Sequence, residues 1–361
     1  MNISERILRL TEALQRYRGE DSFSAVIEDA NYTRYLTGTE SSNSTLYVEV
    51  AETDLSLTIF TDNRYLEKFK NALGHTNEFK VEVVAVSFGT LPISEKPTYI
   101  DTTTMSVARF NSIFPNRFLG SNLHDISKVL QRLRSIKDAD EVEKIYKATD
   151  IADKSLLALL RKGLVGKTEV EIRRTLDQLL LENGADASSF PTIVAAGPNA
   201  SMPHATPSDR VVEATDMIII DFGATFEGYH SDTTRTIKAS NRDFTAFEAR
   251  IVEEVLSAHQ CGVASLRVGA SGGDIDQCVR DHMNADNRGR FIHGLGHGVG
   301  LEIHEYPFLV PNSTDEVSLQ NVATIEPGIY YPNLFGVRIE DTYRVTSEGN
   351  LRLSSLPLVI A

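Results

Sequence analysis

The stretch MIIIDFGATFEGYHSDTTRT sets two carboxylates on what reads as one β-hairpin. A strand runs into Asp221, a turn lies around Glu227-Gly228, and a strand runs out through Asp232. If the turn centres between Phe226 and Glu227, Asp221 and Asp232 face each other. If it centres on Glu227-Gly228, they are diagonal by two residues. Either even offset leaves both on one face of the sheet. Directly opposed like charges destabilise a sheet, so solvent, a shared proton or a cation must offset them. The apolar run before Asp221 disfavours solvent. Taken alone, the pair reads equally well as two solvated or ion-paired acids.

A second pair lies in TIEPGIYYPNLFGVRIEDTYR. A turn at Pro332-Asn333-Leu334 sets Glu326 opposite Glu340. Arg338, two residues before Glu340, shares its strand face, where a salt bridge to a neighbouring carboxylate is the competing use. The third element is FIHGLGHGVGLEIHEYP, which holds three of the nine histidines. Gly294, Gly296, Gly298 and Gly300 make a helix improbable there. In an extended chain His293 and His297 point the same way, and the glycines let the backbone approach something closely, a ligand being one candidate. One imidazole and four carboxylates are thus candidate ligands. Such a set suits Mn, Co, Fe or Zn, with geometry and availability deciding between them. Four acids brought together need cations. Two divalent ions fit that count, and two-metal sites activate water for hydrolysis.

These stretches, with SFPTIVAAGPNASMPHATPSD before them, resemble the metal-dependent peptidases of the pita-bread fold, which include methionine aminopeptidase, aminopeptidase P and prolidase. The likeness covers essentially residues 140 to 361. It implies an α+β pita-bread catalytic domain and two divalent ions, Mn or Co before Fe or Zn. Asp221, Asp232, His297, Glu326 and Glu340 match the five ligand positions. Glu326 also matches the catalytic proton shuttle. His204 and His304 resemble residues that contact substrate or the tetrahedral intermediate. His293 and Arg338 match the substrate pocket of proline-specific members. Asn321-Val322 stands where Gly-Met is common, and Ala239 near where Gly often follows; neither touches a ligand position.

Upstream, SAVIEDANYTRYLTGTE and LTIFTDNRYLEKF resemble the extra N-terminal α/β domain of prolidase, aminopeptidase P and creatinase. That domain takes part in dimer packing and in closing the substrate groove, so a homodimer is implied. The activity implied is hydrolysis of the bond between an N-terminal residue and proline. Xaa-Pro dipeptides are preferred as substrates; longer peptides cut by an aminopeptidase P are the alternative. Methionine aminopeptidase, a creatinase-like metal-free hydrolase and a non-catalytic binding protein on the same fold are more distant readings.

The elements that must position these residues can be read from periodicity. Residues 1–130 alternate helix and strand, with β-rich runs Phe23–Ile27, Leu46–Val50, Leu55–Phe60 and Val81–Val86 and a helix-like stretch Arg64–Leu73. Residues 131–140 read as a charged connector. A long helix follows, with Val142, Ile145, Tyr146, Ala152, Leu156, Leu159 and Leu160 as its stripe. Helices then start at Thr168 and Thr245, each with a glutamate three residues on to complete a capping box. Another runs from about Asp274 to Ala285. Residues 141–361 thus read as helices on a largely antiparallel sheet.

The chain has 361 residues, 36 Lys plus Arg against 50 Asp plus Glu, and a net charge of −14. That argues against nucleic acid and against an anionic membrane surface as partners. No apolar run reaches the roughly 18 residues needed to span a bilayer. The charged, helically periodic N-terminus has no apolar signal core, so a cytoplasmic location is expected. Two cysteines exclude a disulfide scaffold or a Cys-rich zinc site, and both Cys261 and Cys278 are expected as small buried apolar residues.

Overall fold

The computed structural model describes residues 3–51, 54–73, 78–85, 91, 96–120 and 122–359. The chain divides into two compact units, Met1–Arg134 and Ser135–Ala361.

The first unit is built on a six-stranded sheet. Its spatial order is Lys80–Ala85, Asp54–Thr61, Ser44–Ala51, Ser22–Ile27, Thr98–Ile100, Leu123–Asp125. The three inner neighbours Asp54–Thr61, Ser44–Ala51 and Ser22–Ile27 pair antiparallel. The outer joins are parallel. Parallel neighbours need crossover connections, which helices such as Leu66–Leu73 and Val107–Ile113 supply. The helix expected from Arg64 begins two residues later. Of the expected strand Val81–Val86, Val86 lies outside the described residues.

The division between units falls inside the charged stretch read as a connector. Gln131–Ser135 instead complete a helix, Ser127–Ser135. Asp138 then caps the next helix, Ala139–Arg161, in a capping box with Glu141. The predicted stripe holds at Ile145, Ala152, Leu156 and Leu159, all buried, but Tyr146 is exposed, one position off that face.

The second unit contains two main cores and a small cluster of Ala195, Ala200, Ala205, Ile219 and Tyr330. Helices Ala139–Arg161 and Glu169–Glu182 cover a three-stranded antiparallel sheet, ordered Ile193–Ala196, Met217–Phe222, Thr233–Lys238. Leu156, Leu176, Ile218, Ile220 and Phe222 meet in that core. Helices Ala246–Ser265 and Gly272–His282 cover a five-stranded antiparallel sheet. Its order is Glu305–Leu309, Gly296–Gly298, Val322–Ile325, Asp341–Thr346, Gly349–Arg352. Ile251, Val255, Val279, Leu295 and Ile325 belong to this second core. An isolated bridge, Thr234 to Glu340, joins the two sheets. The capping boxes at Thr168–Glu171 and Thr245–Glu248 both form.

The cysteines are not buried as expected. Cys261 is half-buried and Cys278 exposed, because they sit where two helices meet at solvent rather than beneath them. No helix among the described residues is long and apolar enough to cross a membrane.

Candidate metal centre

The first hairpin takes the second of the two registers open to it. Thr234 pairs with Asp221 and Thr225 with His230, so the turn centres on Glu227-Gly228. Both turn residues have positive φ, 46° and 76°, the signature of a tight type I′ turn. Asp232 therefore lies diagonal to Asp221, on the same face. In the second hairpin, Gly328 pairs with Arg338 and Ile325 with Asp341. Glu326 and Glu340 stand opposite each other between those pairs, as expected.

His297 rises from the short strand Gly296–Gly298. Its flanking glycines admit neighbouring backbone, not a ligand. A Cβ at Gly296 would lie 2.1 Å from the Thr324 carbonyl oxygen, and one at Gly298 2.3 Å from that of Tyr306. The glycine alternation is therefore a packing requirement of the strands on either side.

All four acids line one pocket with His204, His293, His297 and His304, in a cavity of about 310 Å³. One donor atom each from Asp232, His297 and Glu340 lie within 4.8 Å of one another. His297 Nε2 is 3.5 Å from Asp232 Oδ2 and 3.5 Å from Glu326 Oε1. Its Nδ1 lies 3.1 Å from the Gly298 carbonyl oxygen, which accepts that N–H and leaves the Nε2 lone pair facing the acids. Burial, then the nearby His304 ring, pushes the His297 pKa down to about 3, so the imidazole is neutral. His304 packs edge-on at 4.3 Å between ring centroids.

The acids are held out of water. Burial, followed by Glu340, Asp221 and Glu326, raises Asp232 well above the usual carboxylate range. Burial and then Glu340 do the same to Glu326. Burial and Asp221 raise Glu340 to about 8. Asp221 accepts from Arg338 Nη2 at 2.6 Å through Oδ2, while its Oδ1 is buried with no hydrogen-bond partner. An orphaned carboxylate oxygen beside three acids that resist ionisation, with one neutral imidazole facing them, is a donor set that divalent cations would satisfy.

Arg338 does not line the pocket. It lies behind it, 2% exposed. Besides Asp221, it donates to Thr234 Oγ1 at 3.1 Å, the Pro203 carbonyl at 3.1 Å and Tyr330 OH at 2.9 Å. Tyr330 in turn lies 2.8 Å from His293 Nε2. Because the phenol accepts from Arg338, its own proton points at Nε2, and His293 Nδ1–H donates to the Gly294 carbonyl at 2.8 Å. Both ring nitrogens are engaged, and burial, then Arg338, holds the His293 pKa down at about 3.

Sequence reasoning missed Tyr330 and Thr234, whose hydroxyl donates to Glu340 Oε2 at 2.7 Å. Thr234 follows Asp232 by two residues, so strand periodicity places it on the same face. The apolar lining from Phe190, Ile193, Phe308 and Val310 carried no comparable signal.

The raised carboxyls give a pH prediction. Metal-free, Glu340, raised to about 8, holds a proton at neutral pH, and an arriving cation must displace it. Loading with a divalent ion at pH 7 is expected to release protons, and affinity is expected to rise as pH climbs towards 8. Calorimetric titration in buffers of differing ionisation enthalpy counts those protons.

Two helix-covered antiparallel sheets that converge on buried acids and one imidazole define a metal-dependent hydrolase with the pita-bread fold. Residues 143–347 match the profile of metallopeptidase family M24, and the chain belongs to that family. It is a peptidase that uses divalent metal. A protein of Pyrococcus furiosus named Xaa-Pro dipeptidase is 41% identical over 240 residues, 65% of this chain and 68% of that one. Among solved structures, an Xaa-Pro dipeptidase from Bacillus anthracis superposes with a TM-score of 0.85 at 29% identity, covering 100% of both chains. An X-Pro aminopeptidase from Thermotoga maritima gives 0.79 at 29% identity, covering 96% of this chain and 98% of its own.

Proposed function

We propose that this chain is an Xaa-Pro dipeptidase, in which Asp221, Asp232, His297, Glu326 and Glu340 hold two divalent ions. The observation that carries this reading is the convergence of those residues with His204, His293 and His304 on one small cavity. A volume of about 310 Å³ is at the lower end for ligand pockets, as suits a dipeptide. When bound, the ions would polarise the scissile carbonyl and lower the pKa of a water. Oxygen-rich donors with one imidazole suit manganese or cobalt.

The chain's own residues do the rest. Glu326 takes the proton of the attacking water and delivers it to the leaving imino nitrogen. Proline leaves as a secondary amine, so this delivery is required for the bond to break. His204 and His304, both exposed at the pocket rim, donate to the developing oxyanion. With both nitrogens engaged, His293 offers its ring face to the apolar proline ring. Arg338 positions Asp221 and, through Tyr330, fixes the His293 tautomer. The same reading carries a homodimer in the cytoplasm, and sedimentation of the purified chain checks the first of these.

Release of leucine from Leu-Pro and Leu-Pro-Pro by metal-reconstituted protein, with a chelated control, tests the proposal. Faster cleavage of Leu-Pro is the expected result. Preference for Leu-Pro-Pro would make the chain an Xaa-Pro aminopeptidase, the reading that the Thermotoga maritima neighbour favours. Cleavage of neither, with metal bound, would overturn proline specificity.

A further inference from the structure

Helices Ala246–Ser265 and Gly272–His282 pack along a seam that reaches solvent. Ser257 Oγ lies 2.8 Å from His282 Nε2. One turn along both helices, Cys261 Sγ lies 3.6 Å from Cys278 Sγ. Ser265 Oγ donates to Cys278 Sγ at 3.3 Å. The helices are close beside this point: a Cβ at Gly262 would come within 3.3 Å of Val279 Cγ2. The two sulfurs are in van der Waals contact, and closing to a bond needs a movement of about 1.5 Å, within reach of side-chain rotation. These are the two cysteines of the chain, and they are adjacent.

We propose that Cys261 and Cys278 form a modification site, a dithiol that closes to an intramolecular disulfide by exchange with a low-molecular-weight disulfide. The exposed Cys278 acts first. Its thiolate attacks one sulfur of RSSR, forming a Cys278–SR mixed disulfide and releasing RSH once the leaving thiolate takes a proton. Cys261 then attacks Cys278 Sγ, forming the Cys261–Cys278 bond and displacing a second RSH. Two thiols are oxidised, one external disulfide is reduced, and protons balance. The order follows from exposure, and it agrees with Cys261, whose thiol is pushed up by burial and by Cys278. The site is separate from the peptidase centre, although Cys278 shares its helix with Asp276 and Arg280. Those two hold the backbone near His293: Arg280 Nη2 donates to the His293 carbonyl at 2.5 Å and Asp276 Oδ1 accepts from Leu295 N at 3.1 Å.

The test is incubation of the full chain with oxidised glutathione, followed by thiol counting, intact mass and peptide mapping. Wild type is expected to lose both thiols together, retain no glutathione and yield a Cys261–Cys278 cross-linked peptide. Cys261→Ser is expected to trap one glutathione on Cys278, and Cys278→Ser to react more slowly. Wild type that accumulates glutathione on Cys278 with Cys261 still free would overturn the proposal. So would chains joined to each other by a disulfide, or thiols that do not react.

Discussion

Glu326→Gln is expected to lower kcat on Leu-Pro by about 10²–10⁴-fold, the usual contribution of a positioned proton-transfer group. Glutamine keeps the size of the side chain and one oxygen, so bound metal is expected to stay close to that of the wild type. It cannot take up the water proton, and the leaving nitrogen then departs without one. Measuring kcat alongside metal content by elemental analysis separates the two roles. Turnover retained with metal present would remove the shuttle role. Turnover lost together with metal would make Glu326 a ligand first.

Arg235→Met should cost about 3 kcal/mol of stability, the lower end for removing one partner of a buried ion pair, because Asp341 keeps Arg352 at 2.6 Å. That corresponds to a fall in Tm on the order of 10 °C for a unit of this size. Arg235 is wholly buried and pairs with Asp341 at 2.8 Å. It also donates to the carbonyls of Thr234, Glu340 and Pro357, at 2.8, 2.6 and 2.8 Å. Methionine fills the volume but removes the guanidinium donor from those carbonyls, of which Thr234's keeps the Glu340 N–H at 3.2 Å. Because two of them belong to Thr234 and Glu340, where the sheets meet, metal affinity is expected to fall by about 10–100-fold as well. Thermal melts with and without metal check both. An unchanged Tm would show that the network adds nothing to stability.

How far the sequence could be read depended on the range of the interaction. The second hairpin was legible because Pro332-Asn333-Leu334 sets one register and period-two alternation carries it to Glu326 and Glu340. The first hairpin left two registers open, since Glu227, which takes φ 46° in the turn, is an unusual residue for positive φ. Capping boxes at Thr168 and Thr245 were visible as local patterns. The box at Asp138 was hidden by the many other charges around it. Arg338 could be placed on the right strand face, and Tyr330 lies across the same hairpin, but its partners Pro203 and Asp221 come from separate segments. Periodicity says which way a side chain points, not which segment it meets. Asn321, read as a minor departure from the family, is fully buried and donates to the Ser135 carbonyl at 3.0 Å.

The bridge between Thr234 and Glu340 has a consequence for cooperativity. Asp221 and Asp232 belong to the sheet over one core, and His297, Glu326 and Glu340 to the sheet over the other. Without cations, the two halves meet along a line of buried acids whose burial and closeness favour the protonated form. With cations present, binding free energy is gained only while both halves are docked, so it becomes cohesion between them. The ions that equip the chain for catalysis would then also act as its clasp, making two cores unfold as one.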